Sequence, residues 1–308
     1  MRKKGFLFLG KIAVSAMLLY LIFKRIDPAA IRASWAQVQG LWIALSLAFM
    51  FGRMIFSVLR WKMLLAYQGI HVPVGKLYHI TLQGTFIGNF LPGSQTGADI
   101  YRAIRLGNDI RHKTHAATTL FQGRLHGLIS FFAIGLVGGT YFWIRTGSTL
   151  YFLIDATFFL GGCLMIWGIY TRGQYLQNML QGKSAVAGIA NRFVQPFLQM
   201  GQSRDVLVKS LGLSLLFQMG SIAIYWCTGM ALNIRLSILD YLFVVPASSI
   251  IAMAPVSLGG IGVREGTAVF LFSELGIPPG AALSLMMMIL LQFLIMSCAG
   301  FLAYILSK

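Results

Sequence analysis

The sequence predicts an all-α polytopic membrane protein: six to eight transmembrane helices with two re-entrant segments, arranged as an inverted-topology repeat. Three observations carry that expectation. Hydrophobic residues make up 57% of the chain and charged residues 11%, at a mean hydropathy of +0.75, well outside the range of soluble globular domains. Apolar runs of bilayer length recur along the chain. Two further apolar runs break at proline in corresponding positions, Leu91-Pro92-Gly93-Ser94 and Ala254-Pro255-Val256-Ser257, with 163 residues between the prolines of a 308-residue chain.

The elements follow in order. Arg2-Lys3-Lys4 ahead of an apolar run imitates a secretory signal, but the run ends at Phe23-Lys24-Arg25 without a small-residue cleavage site, so it reads as a retained first span near 6–24. Windows of about twenty residues place further spans near 41–66, 116–144, 148–170, 205–233 and 281–306. The stretches 77–92 and 239–256 are apolar but short, and each runs into proline and glycine-rich polar sequence, as re-entrant segments do. A count of eight spans arises if the run Thr267 to Leu275 completes a crossing.

Shifting the first half by the spacing of the prolines carries 41–66 onto the fifth span and 116–144 onto the sixth. This defines a first repeat, 1–146, of three spans plus a re-entrant segment, and a second, 147–308, the two forming one membrane domain. Three crossings is an odd number, so the second copy enters the bilayer inverted. Broken backbone at membrane depth persists only where protein or a water-filled cavity covers it, so paired breaks point to a translocation site.

Charge gives orientation. Twenty-five Lys and Arg against eight Asp and Glu leave a net charge of +17, which in a membrane chain signifies cytoplasmic loops on anionic lipid rather than a nucleic-acid partner. The faces holding Lys62, Lys76, Arg102, Arg105, Arg111, Lys113, Arg172, Lys183, Arg192 and Lys209 are richer in basic residues than those holding Lys24, Arg25, Arg32, Arg145 and Arg235. The expectation is an integral protein of a bacterial inner, cytoplasmic membrane with both termini cytoplasmic, its first break facing the cytoplasm and its second the opposite side. The longest polar stretch, roughly 171–204, is too short for a separate soluble core.

The breaks carry the candidate site. After Pro92, Ser94 and Gly97, the spacing of Thr96 and Asp99 matches a capping box for a helix beginning near Gly97, whose free N–H groups and positive dipole end would receive carboxylate or phosphate. Arg102 lies one turn on; the bland reading is an i, i+3 ion pair with Asp99. The second break, Pro255, Ser257, Gly259, Gly260 and Gly262, permits left-handed backbone and close approach of a ligand. Arg264 and Glu265 follow, and Glu265 either pairs with an arginine or titrates during transport. Arg124 in the third span is the most costly residue at membrane depth: it either contacts a phosphate bidentately or snorkels to the interface. Arg60 reads as snorkelling beside Lys62, Arg53 as deeper, and His126 as a hydrogen-bonded core residue.

Cys163, Cys227 and Cys298 have no metal-ligand spacing and read as packing residues; no cofactor or metal is expected. No hydrolase elbow, phosphate-binding loop or useful carboxylate pair is present, so no enzymatic activity is expected.

The stretches Leu91-Pro92-Gly93 through Gly97-Ala98-Asp99-Ile100-Tyr101-Arg102, then Gln122-Gly123-Arg124, then Pro255 through Gly259-Gly260-Ile261-Gly262-Val263-Arg264-Glu265 resemble the signatures of the lysylphosphatidylglycerol synthase transmembrane-region family of flippase-like membrane proteins. The resemblance covers nearly the whole chain, with Ala98 standing where the family tends to have a second glycine. It implies a lipid flippase or scramblase moving an anionic, phospho- or polyprenyl-phosphate-linked lipid through a site between the two re-entrant segments, without the family's synthase half. The alternatives are a secondary transporter of a small hydrophilic anion and an intramembrane lipid-modifying enzyme.

Overall fold

The computed structural model of the chain describes residues 17, 20, 28–90, 94–110, 113–179, 203–253 and 260–307, and every regular element among them is an α-helix. In chain order these are α1 (Pro28–Ala36), α2 (Gly40–Tyr67), α3 (Val74–Phe90), α4 (Ser94–Ile110), α5 (Lys113–Thr146), α6 (Thr149–Met179), α7 (Arg204–Ala231), α8 (Ile238–Ile251), α9 (Val263–Glu274) and α10 (Pro279–Ile305). Among the described residues four helices are long and apolar enough to cross a membrane: Gly40–Tyr67, Thr114–Thr146, Arg204–Ala231 and Pro279–Ile305. They fall within a few residues of four of the expected spans. The fourth expected span, 148–170, overlaps α6 in all but its first residue, and the first, 6–24, lies outside the described residues apart from Met17 and Tyr20.

The expected re-entrant stretches correspond to α3 and α8. At 17 and 14 residues, they extend about 25 and 21 Å, short of the roughly 30 Å hydrocarbon core. Capping fixes several ends. Ser203 accepts the Val206 N–H at the start of α7, and Ser237 and Asp240 cap α8 reciprocally. Helices α2 and α7 both end in a left-handed residue, Gly69 at φ +76° and Asn233 at φ +58°, 164 residues apart.

That interval recurs. Helices α2 and α7 are each 28 residues long, and the same shift carries both ends of one onto the other, from 40 to 204 and from 67 to 231. They pack on each other more extensively than any other pair. Their contacts descend one helix while climbing the other: Ser46 meets Thr228, Arg53 meets Ser221, and Arg60 meets Ser214. The two equivalent helices therefore run antiparallel. Arg53 also lies over the ring of Phe217, the residue equivalent to itself, so their crossing sits where a pseudo-twofold axis would pass.

The short helices exchange partners in the same sense: α8 packs on α5, and α3 packs on α10. A glycine makes each approach possible. A Cβ added to Gly138 of α5 would lie 2.6 Å from the Leu242 carbonyl oxygen, and one added to Gly300 of α10 would run into the Leu82 carbonyl and come within 3.0 Å of the Phe86 Cβ. Pro246 inside α8 supplies no N–H to the Leu242 carbonyl, which leaves that carbonyl facing Gly138.

The packing is that of a protein whose solvent is lipid. Large apolar side chains point outward, among them Phe49 and Ile55 on α2, Leu160, Leu164 and Trp167 on α6, and Leu291 and Phe301 on α10. Polar side chains point inward and bond between helices. Ser46 donates to Gln292 Oε1 at 2.7 Å and meets Thr228 Oγ1 at 3.1 Å, while Gln292 Nε2 donates to Thr228 at 3.1 Å, so one buried clasp joins α2, α7 and α10. Gly138→Leu and Gly300→Leu are each expected to lower stability by about 1–3 kcal/mol or more through overpacking, read as a fall in the thermal unfolding midpoint in detergent. Gly161→Leu, at a position with open space around it, is the control expected to change nothing.

Candidate functional site

The first cluster is built where α3, α4 and α5 meet. Helix α4 begins at Ser94, three residues earlier than the capping-box spacing predicts, so Asp99 lies in its second turn and caps nothing. Its carboxylate is taken instead by two arginines: Arg102 Nη1 donates to Oδ1 at 3.2 Å, and Arg124 Nε of α5 donates to Oδ2. The i, i+3 pair expected from sequence is thus one arm of a bridge between helices. Arg102 also donates to the Thr81 carbonyl at 3.3 Å and Thr85 Oγ1 at 3.5 Å, while its buried Nε has no partner. Arg124 is neither buried nor fully in solvent, with 29% of its side chain exposed.

Arg60, expected to snorkel, does not. It points into the α2–α7 interface and donates to Ser214 Oγ at 2.6 Å, because its helix face is the one covered by α7. There it feels the charges of Asp99, Arg102 and Arg124. Arg53 is inward as expected, donating to Ser221 Oγ and stacking 4.8 Å over the Phe217 ring. His126 is buried and hydrogen-bonded to Ser210 at 2.6 Å, as a core histidine is expected to be.

The second cluster sits at the N-terminus of α9, where Gly260 and Gly262 adopt φ +80° and +86°. Glu265 resolves in favour of pairing. Its Oε2 accepts the Gly262 N–H at 2.7 Å, and its Oε1 accepts Arg264 Nε at 3.1 Å and Nη2 at 2.8 Å. Gly262 has no side chain to complete a capping box, so only one half of the arrangement expected at the first break is found at the second: Glu265 accepts the Gly262 N–H and fills the anion position that a helix N-terminus offers. Arg264 also lies 5.0 Å over the Phe293 ring of α10, and Arg53 and Tyr225 lie within its electrostatic reach.

Three arginines lie across glycines of a neighbouring helix. A Cβ on Gly84 would sit 2.7 Å from Arg102 Nε, one on Gly123 3.2 Å from Arg60 Nε, and one on Gly220 2.7 Å from Arg53 Cβ. Without a side chain at those positions, each guanidinium stem has a slot.

The structure brings Asp99, Arg102 and Arg124 together, with Gly97 in the first turn of the same helix, and separately Gly260, Gly262, Arg264 and Glu265. Ser94 opens α4; Pro92, Pro255, Ser257 and Gly259 lie outside the described residues. Sequence reading missed Arg60 and the α7 serines, although a signal was present. Ser46, Arg53 and Arg60 recur at seven-residue intervals, and α7 repeats Ser210, Ser214, Gln218, Ser221, Tyr225 and Thr228 at three- and four-residue steps, the spacing of one helix face.

Among the described residues Arg53, Arg60, Arg102, Arg124 and Arg264 thus stand against Asp99 and Glu265, apart from a third carboxylate, the buried Asp240, which pairs with Arg145; with the apolar exterior, this defines an integral membrane protein with a cation-rich interior. The family described as Lysylphosphatidylglycerol synthase TM region matches residues 8–300, and the chain belongs to it. It is 24% identical over 314 aligned positions to a UPF0104 membrane protein of Methanothermobacter thermautotrophicus, a match that covers 92% of this chain and 89% of that protein.

Asp99→Asn leaves Arg102 and Arg124 without their shared carboxylate, so it is expected to destabilise by about 1–3 kcal/mol. Adding Arg124→Gln is expected to recover part of that loss. Additive thermal shifts in the double variant would show that the bridge carries no coupling energy.

Proposed function

We propose that this chain is a lipid flippase or scramblase that moves an anionic, phosphate-bearing lipid between leaflets. The observation that carries this reading is the excess of inward arginine at the two breaks: Asp99 neutralises one of three nearby guanidiniums, and Glu265 one of two. Uncompensated cationic charge at membrane depth is costly, and an anionic headgroup relieves the cost. The printed description of the family, a lysylphosphatidylglycerol synthase membrane region, agrees with a lipid substrate.

In this reading, residues 1–146 and 147–308 are inverted repeats, and the antiparallel packing of α2 on α7 supports that inversion. Helices α3 and α8 are re-entrant halves that lead into Pro92 and Pro255. Both termini lie on the cytoplasmic side of the inner membrane. The headgroup phosphate is received by Arg102 and Arg124 with the N-terminal N–H groups of α4, while the tails stay in lipid. In this reading the role is transport, and no cofactor takes part.

The test is translocation of fluorescent phosphatidylglycerol in proteoliposomes, followed by dithionite quenching of the outer leaflet. Arg124→Ala removes one receiving guanidinium, and Glu265→Gln leaves Arg264 without its counter-charge. Both are expected to abolish lipid movement while the protein remains helical and monodisperse. Wild-type rates in both variants would remove the proposed site, and movement of inorganic phosphate without lipid would favour the solute-transporter alternative.

A further inference from the structure

We infer that Arg60 and Arg53 form two further phosphate stations between the break clusters, so that the headgroup crosses the α2–α7 interface from arginine to arginine. This inference rests on the translocation reading above and adds a path to it.

The two side chains are seven residues apart, on one face of α2 and separated by about 10 Å along its axis. Each is held from α7 by a serine of matching spacing, Ser214 for Arg60 and Ser221 for Arg53. Their neighbours differ. Arg60 feels Asp99, Arg102 and Arg124, whereas Arg53 feels Tyr225 and Arg264. The order Arg124 and Arg102, then Arg60, then Arg53, then Arg264 therefore joins one break to the other.

Their chemistry is that of receivers. A guanidinium has five N–H donors, yet among the described residues Arg60 and Arg53 each donate one side-chain hydrogen bond, and neither forms an ion pair. The Arg53 Nε is buried without a partner. Serine hydroxyls orient these cations without neutralising them, so their charge stays available to a phosphate, which matches the planar fork of arginine. Gln218 lies on α7 between the two serines, donating to the Gly127 carbonyl at 3.1 Å, so polar groups line the interval as well. Gly123 and Gly127 make room for the Arg60 side chain itself, and Gly220 for that of Arg53.

The shared ligand chemistry is a phosphate anion, borne by a lipid headgroup or free in solution. The experiment measures two quantities on the full chain: translocation of fluorescent phosphatidylglycerol in proteoliposomes, and binding of dioctanoyl phosphatidylglycerol or inorganic phosphate in neutral detergent by calorimetry. Arg53→Gln and Arg60→Gln are each expected to slow translocation about tenfold or more and to weaken dioctanoyl phosphatidylglycerol binding, since each removes a charge-assisted contact. If a glutamine variant aggregates, Arg53→Lys and Arg60→Lys decide instead: they keep the charge but lose the fork, and are expected to be slower than wild type.

Folded variants that translocate and bind as wild type overturn the stations and leave the lipid-carrier reading standing. A wild-type protein that moves no lipid, yet binds the short-chain lipid with an affinity that these variants weaken, supports the stations and removes the carrier. Inorganic phosphate bound as tightly as the lipid, and lost in the same variants, assigns the stations to a soluble anion. No binding and no movement in wild type overturns both.

Discussion

Positive charge inside an apolar bundle is the constraint around which this structure is arranged. An arginine at membrane depth is costly unless it is paired, hydrated or held against polar groups, and among the described residues Arg53, Arg60, Arg102, Arg124 and Arg264 turn inward with Asp99 and Glu265 to share. The guanidiniums are large and their stems long, so they need room as well as partners. Room comes from glycines on the facing helices, Gly84, Gly123 and Gly220, and hydrogen bonds come from the hydroxyls of α7. A leucine at any of those glycines would force a choice between the helix contact and the arginine. Both the helix packing and the charge placement therefore depend on the same small residues.

The two halves of the chain solve the same problem differently. Arg102 and Arg264 stand 162 residues apart, close to the interval that relates α2 to α7, and each follows a break. Their carboxylates come from different places. In the first half the acid precedes the arginine by three residues and is shared outward with α5 through Arg124. In the second the acid follows by one residue, folds back onto the Gly262 N–H and is almost entirely buried. The second acid is thus buried against the start of its own helix, whereas the first, shared between two helices, is partly exposed.

How much of this was legible in the sequence follows from what each signal depends on. The long helices were legible because bilayer-length apolar runs leave few other readings, and α2, α5, α7 and α10 fall almost where hydropathy places them. Asp99, Arg102, Arg124, Arg264 and Glu265 were legible as charges interrupting apolar sequence. Their partners were legible only in part: the local pair of Asp99 with Arg102 was expected, the bridge to Arg124 was not. Whether Arg60 turns inward or toward the interface depends on which neighbouring helix covers which face, a tertiary fact that single-helix periodicity leaves open, whereas Glu265 pairs locally, with Arg264 and the Gly262 N–H. The start of α4 was misplaced for a related reason: capping-box spacing is a local signal, and the ion pairs to Arg102 and Arg124 claimed Asp99 instead. The seven-residue recurrence of Ser46, Arg53 and Arg60 was the one overlooked pattern that pointed to the α7 contact.

The choice of serine opposite Arg53 and Arg60 is informative in its own right. Had α7 offered aspartate at 214 and 221, each arginine would have been neutralised and the interface would be a static ion-pair seam. Hydroxyls fix the direction of a guanidinium through one bond while leaving its charge and its other donors unspent. Phe217 adds polarisable support to Arg53 without adding negative charge. A bundle built only for stability gains nothing from unneutralised cations, since apolar residues of similar volume would pack there at lower cost. The polar face of α7 thus does two things: Thr228 ties α7 to α2 and α10, and Ser214 and Ser221 orient Arg60 and Arg53 without neutralising them.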